Sequence, residues 1–173
     1  MARLELNLLA ELHASSSLNA LSFHKNASGR PILDQGWHCS ISHSFGWVLV
    51  GLSRARFGVD IEKICEKDYL FLESAFTAEE WKIYCSRPER AFTAFSIKES
   101  LSKMMGTGFL TEPNQIQLNG SEYIRLFRMN CSTEADFIIS ITSSESFTPV
   151  FQQINPNRIT AIFHESSFSH SHF

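Results

Sequence analysis

A chain of 173 residues with 43% hydrophobic content carries enough apolar surface for one domain-sized core, or for two small units that share one. No apolar run approaches the roughly 20 residues that cross a membrane as a helix, and the first residues lack the basic-then-apolar layout of a secretory leader. A net charge of −3 argues against binding nucleic acid through its phosphates, so a cytoplasmic protein with neither membrane nor nucleic-acid partner is the expectation.

Along the chain, Leu4, Leu8, Leu9 and Leu12 share one helical face, which predicts a short amphipathic helix from Arg3 to His13. Asn26 to Pro31 reads as a turn before Ile32 and Leu33. From Cys39 the pattern becomes β. A strand through Ile41 leads to Ser42-His43-Ser44, Trp47 to Ser53 is a buried strand, and Phe57 to Ile64 is its expected return strand in a hairpin. Thr77-Ala78-Glu79-Glu80 and Ser86-Arg87-Pro88-Glu89 both fit the capping-box pattern, so two consecutive helices are predicted, the second ending near Met105 before Gly106. Apolar runs at 116–118, 123–127, 137–142 and 149–154 are predicted as antiparallel strands, and the His- and Ser-rich residues 163–173 as a flexible tail. Cys39, Cys65, Cys85 and Cys131 are far apart with no CxxC spacing and are read as reduced thiols.

Two features carry possible chemistry. In the strand Gly58 to Glu62, Asp60 and Glu62 are two residues apart, so both project from one face, about 6.5 Å apart along the chain. They repel unless a cation lies between them, and removing Asp60 is then expected to stabilise the cation-free protein. On the second helix, Glu99 and Lys103 sit four apart and share a side. One reading is solvated charge on a half-exposed strand and a surface ion pair. The other is three carboxylates for a hard divalent cation such as Mg²⁺, beside an ammonium that meets a phosphate. Residues 53–103 also hold nine of the fifteen Lys and Arg side chains; with a cation on Asp60, Glu62 and Glu99 that segment becomes basic and suits an acidic partner.

Gly58-Val59-Asp60-Ile61-Glu62 followed by Lys98-Glu99-Ser100 and Lys103 resembles the paired signatures of the 4′-phosphopantetheinyl transferases, with Phe95 where that family commonly has Trp. Gly29-Arg30-Pro31 and Ser40-Ile41-Ser42-His43-Ser44 are similar to two further segments of the family, in the same order. The resemblance implies an α+β fold of two similar α+β halves on a pseudo-twofold axis, residues 1–55 and 56–162 within a single compact unit. With only 28 residues before Gly29, the first half is expected to be shortened. It further implies Mg²⁺-dependent transfer of the phosphopantetheine arm of coenzyme A to a serine of an acidic acyl or peptidyl carrier protein, releasing 3′,5′-ADP. Asp60, Glu62 and Glu99 would bind the metal, with Glu99 also the base. Lys103 would hold the pyrophosphate, and Arg30, Ser42, His43 and Lys98 would approach the coenzyme. A monomer or a weakly self-associating chain is expected. A non-catalytic module that binds coenzyme or carrier is the alternative.

Overall fold

The computed structural model describes residues 23–25, 31–33, 36–67, 69–107, 112–117, 123–130, 136–155 and 158–165. The helix expected over Arg3 to His13, and Asn26 to Arg30 of the expected turn, lie outside them. Among the described residues nine strands appear in chain order: β1 (Phe23–Lys25), β2 (Pro31–Leu33), β3 (His38–Ser44), β4 (Trp47–Ser53), β5 (Phe57–Lys63), β6 (Tyr123–Asn130), β7 (Asp136–Ser143), β8 (Phe147–Asn155) and β9 (Arg158–Glu165). Between β5 and β6 come helices α1 (Ala78–Tyr84) and α2 (Pro88–Met105), with 3₁₀ segments at Tyr69–Ala75 and Pro113–Gln115.

The strands form two sheets, in the orders β1-β2-β3-β4-β9-β8 and β5-β7-β6. The mixed α/β architecture agrees with the expected α+β class. The hairpin expected between β4 and β5 does not form. After Ser53 the chain leaves the first sheet, and β5 pairs antiparallel with β7 from Phe57↔Ser143 to Lys63↔Phe137, while β4 takes β3 and, in parallel, β9 as neighbours. The apolar alternation of β4 and β5 fitted either pairing, because each strand buries a face whichever sheet it joins. At 116–118, Ile116 instead follows a 3₁₀ turn and is buried there. β9 pairs with β8 as far as Glu165, so Phe163 to Glu165 belong to a strand rather than to the expected tail; residues 166–173 lie outside the described residues.

The two sheets meet over one apolar cluster. Leu49 of β4, Val59 and Ile61 of β5, Phe137 and Ile141 of β7 and Phe147 of β8 are buried in it, and Trp47 meets Phe137 edge-on at 6.1 Å. Full burial of each such side chain contributes about 1.5–3 kcal/mol. On the far face of β5 and β7 lies α2. Its buried stripe holds small hydroxyl residues: Ser96 and Ser140 Oγ atoms are 2.8 Å apart, and Ser100 Oγ is 2.7 Å from Thr142 Oγ1.

Each helix end follows from its local sequence. Thr77 accepts from the Glu80 amide while Glu80 accepts from the Thr77 amide, so α1 has the predicted capping box. The second predicted box does not form: Arg87 is the N-cap of α2, makes no side-chain cap, and Pro88 supplies the fixed φ of the first turn. At its other end Gly106 adopts φ +75°, and Arg56 Nη2 donates to the Met105 carbonyl at 3.0 Å. A guanidinium from the β4–β5 turn thereby ties the end of α2 to the start of β5. Among the described residues, Cys39, Cys65 and Cys85 are in no disulfide.

Candidate active site

The odd residues of β5 enter the inter-sheet core, so Gly58, Asp60 and Glu62 face α2. The helix passes so close that a Cβ on Gly58 would lie 2.0 Å from the Ser100 carbonyl oxygen and 2.6 Å from the Met104 nitrogen. Only a hydrogen fits there. That contact sets Lys103, one turn along α2, directly over Asp60.

Asp60 is the hub. Its Oδ1 accepts from Lys103 Nζ at 2.6 Å and from Ser42 Oγ at 2.7 Å, and Lys103 Nζ also donates to Ser42 Oγ at 2.9 Å. The carboxylate is 2% exposed, and Oδ2 is the one buried side-chain oxygen or nitrogen among the described residues that lacks a hydrogen-bond partner. An orphaned buried carboxylate oxygen is costly unless something else satisfies it. These bonds argue against the expectation that removing Asp60 stabilises the protein. Oδ1 receives an ammonium and a hydroxyl that alanine would leave unmatched.

β3 runs beside β5 and supplies hydroxyls in place of a backbone ladder. Ser40 Oγ accepts from the Val59 amide at 3.0 Å and Ser44 Oγ from the Lys63 amide at 3.1 Å, while Ser44 Oγ donates to Glu62 Oε2 at 3.3 Å. With Ser42 on Asp60, alternate residues of β3 thus stitch one sheet to the other at the carboxylates.

Glu62 and Glu99 complete the acidic group. Burial, then the Asp60 charge, push the Glu62 carboxyl up to about 8, against the opposing pull of Lys103 and Ser44. Burial and Asp60 also raise Glu99, again opposed by Lys103. Three carboxyls and one ammonium therefore share a single electrostatic neighbourhood. Among the described residues no three His, Cys, Asp or Glu side chains are gathered at metal-ligand distance. The donor set nonetheless fits a hard divalent cation: all oxygen, with one buried oxygen unpartnered and two carboxyls that a positive charge would relieve.

The remaining expected residues separate. Lys98 has a fully buried side chain and turns away from this cluster: its Nζ donates to Glu80 Oε2 at 2.7 Å and to the Pro113 carbonyl at 3.1 Å, and lies 5.0 Å from the Phe76 ring centroid. This placement does not favour the expected approach of Lys98 to coenzyme; it joins α1, α2 and the 113–115 turn. Burial opposes ionisation of Glu80, but Lys98 and the Thr77 cap outweigh it and hold its carboxyl below the usual range. His43 is exposed on the side of β3 opposite Ser42, and Arg30 lies outside the described residues.

Sequence reasoning placed Ser40, Ser44 and Gly58 in motif segments and Glu80 in a helix cap, but gave none of them a part in this arrangement. The signal for the serines was present, since Ser40, Ser42 and Ser44 repeat at the strand period and so share a face. The Glu80–Lys98 pair had no such signal, because it joins two helices through a turn between them.

A β-strand bearing two carboxylates, crossed by a helix that brings a third and a lysine, is an arrangement whose chemistry suits a divalent cation beside a phosphate. Residues 56–161 match the family model of the 4′-phosphopantetheinyl transferase superfamily, and the chain belongs to that superfamily. It is 33% identical over 105 residues to 4′-phosphopantetheinyl transferase gsp of Aneurinibacillus migulanus, covering 58% of this chain and 44% of that protein. It is 31% identical over 109 residues to 4′-phosphopantetheinyl transferase psf-1 of Bacillus pumilus, covering 59% and 46%. The holo-[acyl-carrier-protein] synthase of Lachnoclostridium phytofermentans is 35% identical over 72 residues, covering 39% and 58%. The chain thus spans about half the length of the curated relatives it matches.

Proposed function

We propose that this protein transfers the 4′-phosphopantetheine arm of coenzyme A to a serine hydroxyl of an apo carrier protein, releasing 3′,5′-ADP. The observation that carries the reading is the Lys103–Asp60–Ser42 cluster with its unpartnered Asp60 Oδ2, held against Glu62 and Glu99 on superfamily signature segments. Asp60, Glu62 and Glu99 would hold Mg²⁺, which when bound offsets the negative charge of the diphosphate and of the leaving phosphate.

The chain's own groups have distinct jobs. Lys103 is 25% exposed at its side chain, so its ammonium reaches both the buried Asp60 and an arriving phosphate. Glu99, in the same electrostatic neighbourhood as Asp60 and Lys103, is the proposed base for the acceptor hydroxyl. Ser42, bonded to both Asp60 and Lys103, fixes their spacing before substrate arrives. His43, exposed beside Ser42, and Arg30 are the proposed coenzyme contacts.

The test is to incubate the protein with coenzyme A, Mg²⁺ and a panel of apo acyl and peptidyl carriers, then weigh each carrier. A mass gain of one phosphopantetheine arm on a serine is expected. Unmodified carriers across the panel would overturn the reading, and coenzyme binding without transfer would replace it with a binding module.

A further inference from the structure

The turn between β3 and β4 contains the least comfortable backbone in the described protein. Ser44 pairs with Trp47, so Phe45 and Gly46 alone form the hairpin loop, with φ of +44° and +82°. Positive φ at both central positions is the pattern of a type I′ turn, which favours Asn-Gly or Gly-Gly. Gly46 meets that demand. Phe45 does not: a bulky side chain at positive φ brings its Cβ against the following carbonyl, and among the described residues it is the sole non-glycine with positive φ.

The same side chain is poorly buried. At 70% exposed, Phe45 is the most exposed of the large hydrophobic side chains described, so no packing gain offsets the strained backbone. Its ring meets the Lys63 ammonium, which lies 4.2 Å from the ring centroid. Ser44, the residue before Phe45, bonds both the Lys63 amide and the Glu62 carboxylate. An apolar ring capped by a cation therefore stands at the rim of the carboxylate cluster, two bonded neighbours from Glu62.

We propose that Phe45, with Lys63, is a specificity-determining contact for the carrier protein, receiving an apolar side chain of an acidic surface next to the acceptor serine. This rests on the transferase reading above. Strain held at an exposed position beside a site is a feature of ligand clamps. The ring supplies apolar contact area, and Lys63 supplies the charge that selects an acidic partner and repels a basic one.

The test uses the whole chain and Phe45→Asn, which suits the turn. Relief of strain raises the melting temperature by about 2–4 °C. Loss of the ring raises KM for the apo carrier about tenfold, while kcat at saturating carrier and KM for coenzyme A hold. Phe45→Leu recovers part of the loss, and Lys63→Glu weakens the carrier further and flattens its salt dependence. An unchanged carrier KM, or a change confined to coenzyme KM, overturns the assignment and leaves the transferase reading standing. If the wild type binds an apo carrier without modifying it, the transferase reading falls; Phe45 is then judged by the carrier Kd, a loosening supporting it and no change overturning it. Neither binding nor transfer with any acidic carrier overturns both.

Discussion

Lys103 Nζ lies 2.6 Å from Asp60 Oδ1, although the two residues are 43 positions apart and sit on a helix and a strand of separate sequence motifs. That contact joins the motifs into one site. It exists because Gly58 lets α2 settle onto β5.

Replacing Glu99 by Gln is expected to abolish carrier modification in a mass assay. Its melting temperature should stay within a few degrees or rise, because the isostere removes a buried charge that Asp60 repels. A large fall in stability would make Glu99 a structural residue.

Asp60→Ala is expected to destabilise the protein by about 1–3 kcal/mol in urea melts, since it strands the Ser42 hydroxyl and the Lys103 ammonium. Asp60→Asn keeps an acceptor and should cost less. An alanine variant more stable than wild type would mean that carboxylate repulsion outweighs both bonds.

Gly58→Ala should cost more than about 3 kcal/mol or prevent folding, because the added carbon meets the backbone of α2 rather than a flexible side chain. Circular dichroism melts measure this directly.

Lys98→Met should lower stability by about 1–3 kcal/mol, because it breaks a part-buried ion pair and leaves the Pro113 carbonyl unmatched, while Glu80 keeps the Thr77 amide. KM for coenzyme A in whatever protein still folds should hardly move. A raised coenzyme KM with unchanged stability would restore Lys98 to the coenzyme site.

The metal-free protein should lose stability as pH rises. Glu62 titrates near 4.5 when unfolded and about 8 when folded, so between those values the folded state holds the extra proton and each step up in pH favours unfolding. Glu99 acts in the same direction. Melts from pH 5 to pH 8 should show a declining midpoint, and Mg²⁺ should raise the midpoint more at pH 8 than at pH 6, because the cation must displace those protons. A midpoint flat across the range would count against buried, mutually repelling carboxyls.

Much of the site was legible because its chemistry obeys local periods. Two residues along a strand put Asp60 and Glu62 on one face, and four along a helix put Glu99 beside Lys103. What could not be read was pairing. The β4–β5 hairpin was expected because the strands are consecutive and a turn separates them, yet β5 chose β7, whose own apolar face and hydroxyls match both β5 and α2. Lys98 was grouped with its motif neighbours, but a helix turns about 100° per residue, so its side chain leaves α2 in a different direction from that of Glu99 and meets Glu80 and the Pro113 carbonyl.

The serines of β3 bear on how the two sheets come apart. The Val59 and Lys63 amides are held by side-chain hydroxyls of Ser40 and Ser44 instead of by carbonyls of a neighbouring strand. A rotation about one χ1 bond releases such an amide without unzipping a sheet, so solvent deuterium should reach these two positions by local opening, earlier than it reaches the β5 amides shared with β7. The boundary between the sheets is thus fastened by side chains, and exchange at Val59 and Lys63 as slow as at the amides shared with β7 would count against such an opening.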